Sequence, residues 1–177
     1  FDTAEEALEA VHGRIALFYC SNCGHIFNAA FDPELLEYGK EYENSLHFSP
    51  KFNDFAKSLA KNLIDKYDIR NKTVVDVGCG KGDFLKMITT DGNNKGYGFD
   101  KSYIPSESDS DFNIEFINDY FSEEYKDIQA DLLLCRHVLE HIERPETLIK
   151  SVSDAITENS TVFFEVPNAL YTVKDLG

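Results

Sequence analysis

Hydrophobic residues after about position 48 follow two patterns, one with the spacing of a helix and one in short continuous runs. Between Ser49 and Tyr67, apolar residues recur every three or four positions with Lys and Asp between them, which predicts an amphipathic helix. Ser49 and Pro50 are a typical helix start, because a serine can cap the first turn and proline is tolerated there. We expect the apolar face of this helix to pack on the elements that follow.

Short apolar runs then alternate with helical stretches to the end of the chain. Such alternation predicts βαβ units, and therefore a parallel sheet with right-handed crossovers. The predicted strands are Thr73–Val77, Gly96–Phe99, Ile114–Ile117, Ala130–Cys135 and Thr161–Val166. The fold class is thus α/β, a Rossmann-like, mostly parallel sheet with helices on both faces. Residues 102–111, rich in Ser and Asp, are predicted to form an exposed loop.

The first 48 residues are predicted to be a small irregular segment built around a cysteine pair. A short apolar strand, Ile15–Tyr19, runs into Cys20, and Cys23 follows two residues later with a glycine behind it. This spacing can turn both thiolates toward one tetrahedral ion. A closed zinc site needs four ligands, which leaves two interpretations: half of a structural zinc site, completed by His12 and His25 or by an upstream pair, or a reduced turn with two unpaired thiols.

Length and composition limit the rest of the organisation. With 177 residues, the chain can bury one sizeable core, so we predict an N-terminal segment, 1–48, and one domain, 49–177. The formal net charge of -15 would repel nucleic-acid phosphates and anionic membranes, and neither is expected as a partner. No apolar run reaches the roughly 20 residues that span a bilayer. Four unevenly spaced cysteines without a signal sequence predict a cytoplasmic protein.

The strongest chemical signal is the glycine turn after the first strand of the domain. Gly78, Gly80 and Gly82 are spaced G-x-G-x-G behind an acid, Asp76. Ligands of open α/β sheets bind at the carboxyl ends of strands, where glycines let the backbone approach them closely. A dinucleotide site usually has the G-x-G-x-x-G spacing, and its pyrophosphate would gain nothing from Asp76. A cationic ligand with an ammonium and a sulfonium would be favoured, which is the charge pattern of S-adenosylmethionine.

Two further acids follow predicted strands in the order that a nucleoside would need. Asp100 ends the second strand, where a carboxylate can accept both ribose hydroxyls. Asp119 follows the third strand and could accept the adenine amino group, while Tyr120 covers the ring. Each acid alone is also compatible with a helix cap or a turn. Three acids at successive strand ends favour one nucleoside site.

These motifs, together with the segment Ala130–Ile142, resemble those of the class I S-adenosylmethionine-dependent methyltransferases over roughly residues 49–167. The resemblance implies a methyltransferase with a small-molecule acceptor and a reaction-facing loop around Arg136 and His137. The residues that it implies for the cofactor are Asp76, Gly78, Cys79, Gly80, Asp100, Lys101, Asp119, Tyr120 and Arg136. His137 is our candidate catalytic residue, because a histidine can accept a proton near neutral pH. We also expect His137 and His141 on one helix after the fourth strand, with no third ligand that would make them a metal site.

The cysteine pair and the segment Tyr42–Pro50 are more narrowly similar to a subset with an N-terminal zinc-binding segment, which includes deoxysugar C-methyltransferases. That similarity implies structural zinc at Cys20 and Cys23, a Tyr42 that closes over the cofactor, and a sugar or sugar nucleotide as acceptor. The subset's second cysteine pair is absent. Its C-terminal hairpin after the fifth strand is also absent, so we expect an incomplete domain whose open sheet edge favours a homo-oligomer.

Two other functions remain compatible with the sequence. One is a module that keeps the fold and binds ligand without turnover. The other is a nicotinamide-dependent oxidoreductase that uses the same cleft. The G-x-G-x-G spacing behind Asp76 disfavours the oxidoreductase, and Asp100 with Asp119 disfavours the non-catalytic module.

Overall fold

A computed structural model of the chain describes residues 3–35, 48–168, 170 and 174. The chain divides into two compact units, residues 1–43 and 44–177. None of the helices in the described part combines the length and apolar character that crossing a membrane requires. The predicted Tyr42 lies outside the described residues.

The N-terminal unit contains more regular structure than the sequence predicted. Helix α1, Ala4–Glu9, begins at a capping box in which Thr3 and Glu6 satisfy each other's backbone N–H groups. Strand β1, Leu17–Tyr19, pairs antiparallel with β2, Ile26–Asn28. The prediction of an irregular segment was therefore wrong for β2, which the sequence pattern missed because three residues are too few to show alternation. The side chains of β1 are exposed.

Five parallel strands form the sheet of the second unit, as predicted. Their order is β5-β4-β3-β6-β7, and every neighbouring pair is parallel. The strands are β3 (Thr73–Val77), β4 (Lys95–Phe99), β5 (Ile114–Ile117), β6 (Ala130–Arg136) and β7 (Ile156–Glu165). Strand β7 begins five residues before the predicted Thr161. Because all five run the same way, their carboxyl ends share one edge of the sheet.

Helices cover both faces of this sheet, which confirms the predicted fold class. Helix α2, Pro50–Tyr67, starts at Ser49, whose hydroxyl accepts a hydrogen bond from the Phe52 N–H at 3.4 Å. It packs with α3, Asp83–Gly92, on one face, and α4, Pro145–Asp154, covers the other. The two apolar clusters bury alternate side chains of the central strands, as expected when a strand contacts helices on both sides.

The helix predicted directly after β6 was wrong. His137 has the left-handed φ of +54°, and only a short 3₁₀ turn, Leu139–His141, follows. The next helix begins at Pro145. Proline is tolerated in the first turn of a helix, and it disfavours helical backbone in the residue before it. His137 and His141 therefore do not share one helical face.

The Ser- and Asp-rich loop is mostly exposed, as predicted, with one exception. Tyr103 is buried and its ring stacks on Phe116 with centroids 4.3 Å apart. A 3₁₀ turn, Glu107–Asp111, closes the loop before β5. The loop is therefore held against the sheet by an aromatic contact that its composition did not indicate.

Candidate functional site

The glycine turn between β3 and α3 has backbone conformations that favour glycine at three positions. Gly78, Gly80 and Gly82 have φ angles of +71°, +56° and +77°. A Cβ on Gly78 would stand 2.2 Å from a methyl group of Val138, and one on Gly82 would stand 2.4 Å from the ring of Phe116. A Cβ on Gly80 would meet nothing within 4 Å. Side chains therefore pack against the turn at Gly78 and Gly82. The turn is open at Gly80, where a ligand can approach the backbone.

Asp100 joins this turn to the end of β4. One carboxylate oxygen accepts from the Gly80 N–H at 2.8 Å, and the other accepts from the N–H and hydroxyl of Ser102 at 2.8 and 2.6 Å. The Phe99 carbonyl accepts from the N–H groups of Gly78 and Cys79. A carboxylate offers about four acceptor positions, so Asp100 can hold the turn and still accept a ribose hydroxyl.

Asp76 lies in β3, two residues before Gly78, and is only 4% exposed. Burial raises the pKa of its carboxyl to about 7; the Arg136 charge opposes this rise and the Asp100 charge adds to it. A carboxyl with this pKa is close to half protonated at neutral pH. A cationic ligand beside it would stabilise the ionised form, which is the electrostatic preference expected from the sequence.

Asp119 follows β5 within a small hydrogen-bond cluster. It accepts from the Tyr120 N–H at 2.8 Å and from the Tyr125 hydroxyl at 3.0 Å, and Lys101 Nζ lies 3.5 Å away. The hydrogen bonds from Tyr120 and Tyr125 lower the pKa of Asp119. The ring of Tyr120 is 67% exposed and available for stacking. Sequence reasoning missed Tyr125, which lies in a short 3₁₀ turn.

Arg136, the last residue of β6, and His137, which follows it, contact Glu165 at the end of β7. Arg136 is only 10% exposed, and its Nε lies 2.6 Å from an oxygen of Glu165. The guanidinium carbon also sits 3.9 Å from the centre of the Phe84 ring. His137 is half-exposed between two carboxylates, with ring nitrogens 3.5 Å from Glu165 and 3.6 Å from Glu140. Sequence reasoning missed Glu165, whose only signal was its place at a strand end.

The two cysteines of the second unit are poor nucleophiles. Burial raises the pKa of the Cys79 thiol far above its ordinary value and that of Cys135 to about 12, with the Asp76 charge adding to both. The reactive form of cysteine is the thiolate. Cys79 therefore contributes its backbone to the turn, and covalent catalysis by either thiol is disfavoured.

The cysteine pair of the N-terminal unit has a turn suited to a metal. The Gly24 N–H donates to the Cys20 carbonyl at 2.8 Å, and Gly24 has a φ of +77°. Hydrogen bonds from the backbone N–H groups of Cys23 and Asn22 lower the pKa of the Cys20 thiol. Within the described residues, no three or more His, Cys, Asp or Glu side chains are grouped so that they could hold a metal ion. The described part of the unit therefore supplies two ligands and not a closed site.

The chain belongs to the methyltransferase domain family, whose model matches residues 48–176. A curated relative, the ubiquinone biosynthesis O-methyltransferase of Hydrogenovibrio crunogenus, is 26% identical over 110 residues, which are 58% of this chain. The match covers 46% of that relative, so the chain spans less than half of the relative's length.

Solved methyltransferases share the fold. The plantazolicin methyltransferase in complex with S-adenosylhomocysteine has a TM-score of 0.56 at 19% identity, covering 73% of this chain and 53% of its own. Coclaurine N-methyltransferase bound to N-methylheliamine and S-adenosylhomocysteine has a TM-score of 0.54 at 20% identity, covering 72% and 38%. At these identities the likeness supports the fold alone.

Proposed function

We propose that the chain is the S-adenosylmethionine-binding domain of a methyltransferase that acts on a small molecule. The observation that carries this proposal is the placement of three acids at the carboxyl ends of three neighbouring parallel strands, where Asp100 also accepts a hydrogen bond from the glycine turn. Family membership supports the same reading. The buried carboxyl of Asp76 favours a cationic ligand over a pyrophosphate, which separates this site from a nicotinamide site.

Each acid has a distinct role in this proposal. Asp76 faces the positive charge of the cofactor's methionine end, Asp100 accepts the ribose hydroxyls, and Asp119 accepts the adenine amino group under the Tyr120 ring. The backbone of Gly78, Cys79 and Gly80 contacts the ligand, and a Cβ on Gly80 would meet nothing within 4 Å. When bound, S-adenosylmethionine supplies an electrophilic methyl group.

The protein's own contribution to the reaction is alignment and proton handling. Holding two reactants in line can contribute about 7 to 11 kcal/mol at its best. His137 stands half-exposed at the strand ends and is our candidate to accept the proton that an acceptor loses. Arg136 is paired with Glu165 and lies close enough to Asp76 to affect its charge. We therefore assign Arg136 to the cofactor side of the cleft through electrostatics.

The acceptor is proposed to be a small molecule, with a sugar or sugar nucleotide as the first class to assay. The named proteins differ in the atom that they methylate: one is an O-methyltransferase of ubiquinone biosynthesis, and the other is an N-methyltransferase. An acceptor panel should therefore include a phenol and a secondary amine beside the sugars.

Calorimetric titration with S-adenosylmethionine, S-adenosylhomocysteine and NAD tests the cofactor assignment. We expect both adenosyl ligands to bind and NAD to give no heat of binding. Binding of NAD alone would favour an oxidoreductase. Adenosyl binding without transfer of a labelled methyl group to any acceptor, in the whole protein, would favour the non-catalytic module.

We also propose that Cys20 and Cys23 are half of a structural zinc site whose other ligands lie outside the described residues. The exposed strand β1 supports this, because a segment of about 40 residues or fewer usually needs a metal, a disulfide or a partner to be stable. The whole protein, purified without chelator, should contain about one zinc ion per chain. Replacing both cysteines with serine should release it, and protein without zinc would leave the reduced turn as the explanation.

A further inference from the structure

Glu165 contacts both the last residue of β6 and the residue that follows it. It ends β7, where it pairs in register with Arg136 of β6. One carboxylate oxygen lies 2.6 Å from Arg136 Nε, and the other lies 3.5 Å from His137 Nε2. Its carbonyl also accepts from the His137 N–H at 2.8 Å. Glu165 thus contacts both Arg136 at the end of β6 and His137 directly after it.

The pair formed by Arg136 and Glu165 is well shielded from solvent. The two side chains are 10% and 21% exposed, and the guanidinium lies over the Phe84 ring at the start of α3. A charge-assisted contact at 2.6 Å in such a place fixes the guanidinium more firmly than a surface ion pair would. Arg136 is therefore held over Phe84 and away from solvent, two positions along β6 from Leu134, which is the register partner of Asp76.

The charge of Arg136 acts on the buried acid of the cofactor cleft. The charged groups that affect Asp76 are Arg136 from β6, which favours its ionised form, and Asp100 after β4, which opposes it. The neighbouring thiols, Cys79 and Cys135, are neutral because burial raises their pKa. Because the Glu165 carboxylate contacts the Arg136 guanidinium, its negative charge opposes the positive potential of Arg136.

We propose that Glu165 is a positioning residue that joins the two sides of the site, fixing Arg136 beside Asp76 and His137 at the strand ends. This inference rests on the proposed function, since it assigns Asp76 to the cofactor and His137 to the acceptor. The left-handed backbone of His137 fits it, because the Glu165 carbonyl holds that residue in a conformation that a histidine adopts at a cost.

Glu165→Gln should change the pH at which cofactor affinity falls. Glutamine keeps the shape and an oxygen for Arg136, but the Arg136 charge is no longer offset. The carboxylate of Asp76 is then stabilised, so the acidic fall in cofactor affinity should move to lower pH. A charge directly beside a group has a large effect on its ionisation, whereas Glu165 lies one strand beyond Arg136, so we expect the fall to move by about 0.5 pH unit. Loss of the second oxygen's charge should also misplace His137 and lower kcat about tenfold.

The test measures S-adenosylmethionine affinity by calorimetry between pH 5.5 and 8.5 for the wild type, Glu165→Gln and Glu140→Gln. Glu140 contacts His137 and has no ion pair with Arg136, so its variant should keep the wild-type pH dependence. A fall in affinity that moves to lower pH in Glu165→Gln alone supports the proposal. An unchanged pH dependence in folded Glu165→Gln overturns it.

Glu165→Gln leaves Arg136 buried with a weaker partner, which could prevent folding. The double variant Arg136→Gln, Glu165→Gln removes both charges and so avoids that problem. Its acidic fall should move to higher pH, opposite to the single variant, because Arg136 is the charge that favours ionised Asp76 within the part of the chain that the structure describes. An unmoved fall in the double variant also overturns the proposal. If the wild type binds no S-adenosylmethionine at any pH, the proposed function fails first.

Discussion

Replacing Asp100 with alanine should weaken S-adenosylmethionine binding while the domain remains folded. The carboxylate is assigned to the ribose, and losing a charge-assisted hydrogen bond costs about 1.5 to 3 kcal/mol. At about 1.4 kcal/mol per tenfold change, this is a loss of roughly 10- to 150-fold in affinity. The structure adds a second effect, because Asp100 also accepts from the Gly80 N–H at 2.8 Å. The space beside Gly80 is open, so water can replace the lost acceptor.

Calorimetry on the folded variant gives the affinity, and circular dichroism with thermal unfolding checks the fold. Ser102→Ala is the matched control, because it removes one hydrogen bond to Asp100 at 2.6 Å and leaves the carboxylate in place. We expect Ser102→Ala to bind within a few-fold of the wild type. An Asp100→Ala protein that folds and binds with wild-type affinity would refute the ribose assignment.

Three other predictions follow from the site and its supports. Cofactor affinity should be constant at alkaline pH and should fall as pH decreases through about 7. The reason is that burial raises the pKa of Asp76 to about 7 in the free protein, and the carboxyl must lose its proton to face a cation. A flat calorimetric profile from pH 5.5 to 8.5 would contradict this. Gly78→Ala should lower the free energy of unfolding by about 2 to 4 kcal/mol, since its φ is +71° and its Cβ would stand 2.2 Å from Val138, and denaturant unfolding with a wild-type midpoint would contradict this. Ser49→Ala should cost about 1 kcal/mol by losing the cap of α2, measured by the same unfolding curves, with no change in cofactor affinity.

The parts of the fold that sequence reasoning predicted are those set by local pattern. The run of residues 132–135 in β6 is buried on both faces, so it carries the continuous apolar signal that is typical of parallel strands. The spacing of Gly78, Gly80 and Gly82 reflects positive φ at three alternate positions, and it locates the turn without any knowledge of tertiary contacts. The direction of parallel strands then brings Asp76 and Asp100 to the same edge.

The parts that it missed depend on tertiary register. Arg136 and Glu165 are 29 positions apart and meet because β6 and β7 pair with those two residues opposite each other. A predicted strand starting at Thr161 contains Glu165 but does not fix its partner. The expected helix through His137 and His141 failed because His137 turns left-handed against the end of β7, donating its N–H to Glu165. Periodicity over so few residues cannot show such a turn.

The central claim concerns one nucleoside site at the carboxyl edge of the sheet, and a crystal structure of the protein with S-adenosylhomocysteine tests it most directly. We expect the ribose hydroxyls within hydrogen-bond distance of Asp100, the adenine amino group at Asp119 with its ring against Tyr120, and the amino-acid end over Gly80 near Asp76. A ligand bound away from the glycine turn, or one whose ribose contacts neither oxygen of Asp100, would contradict the account.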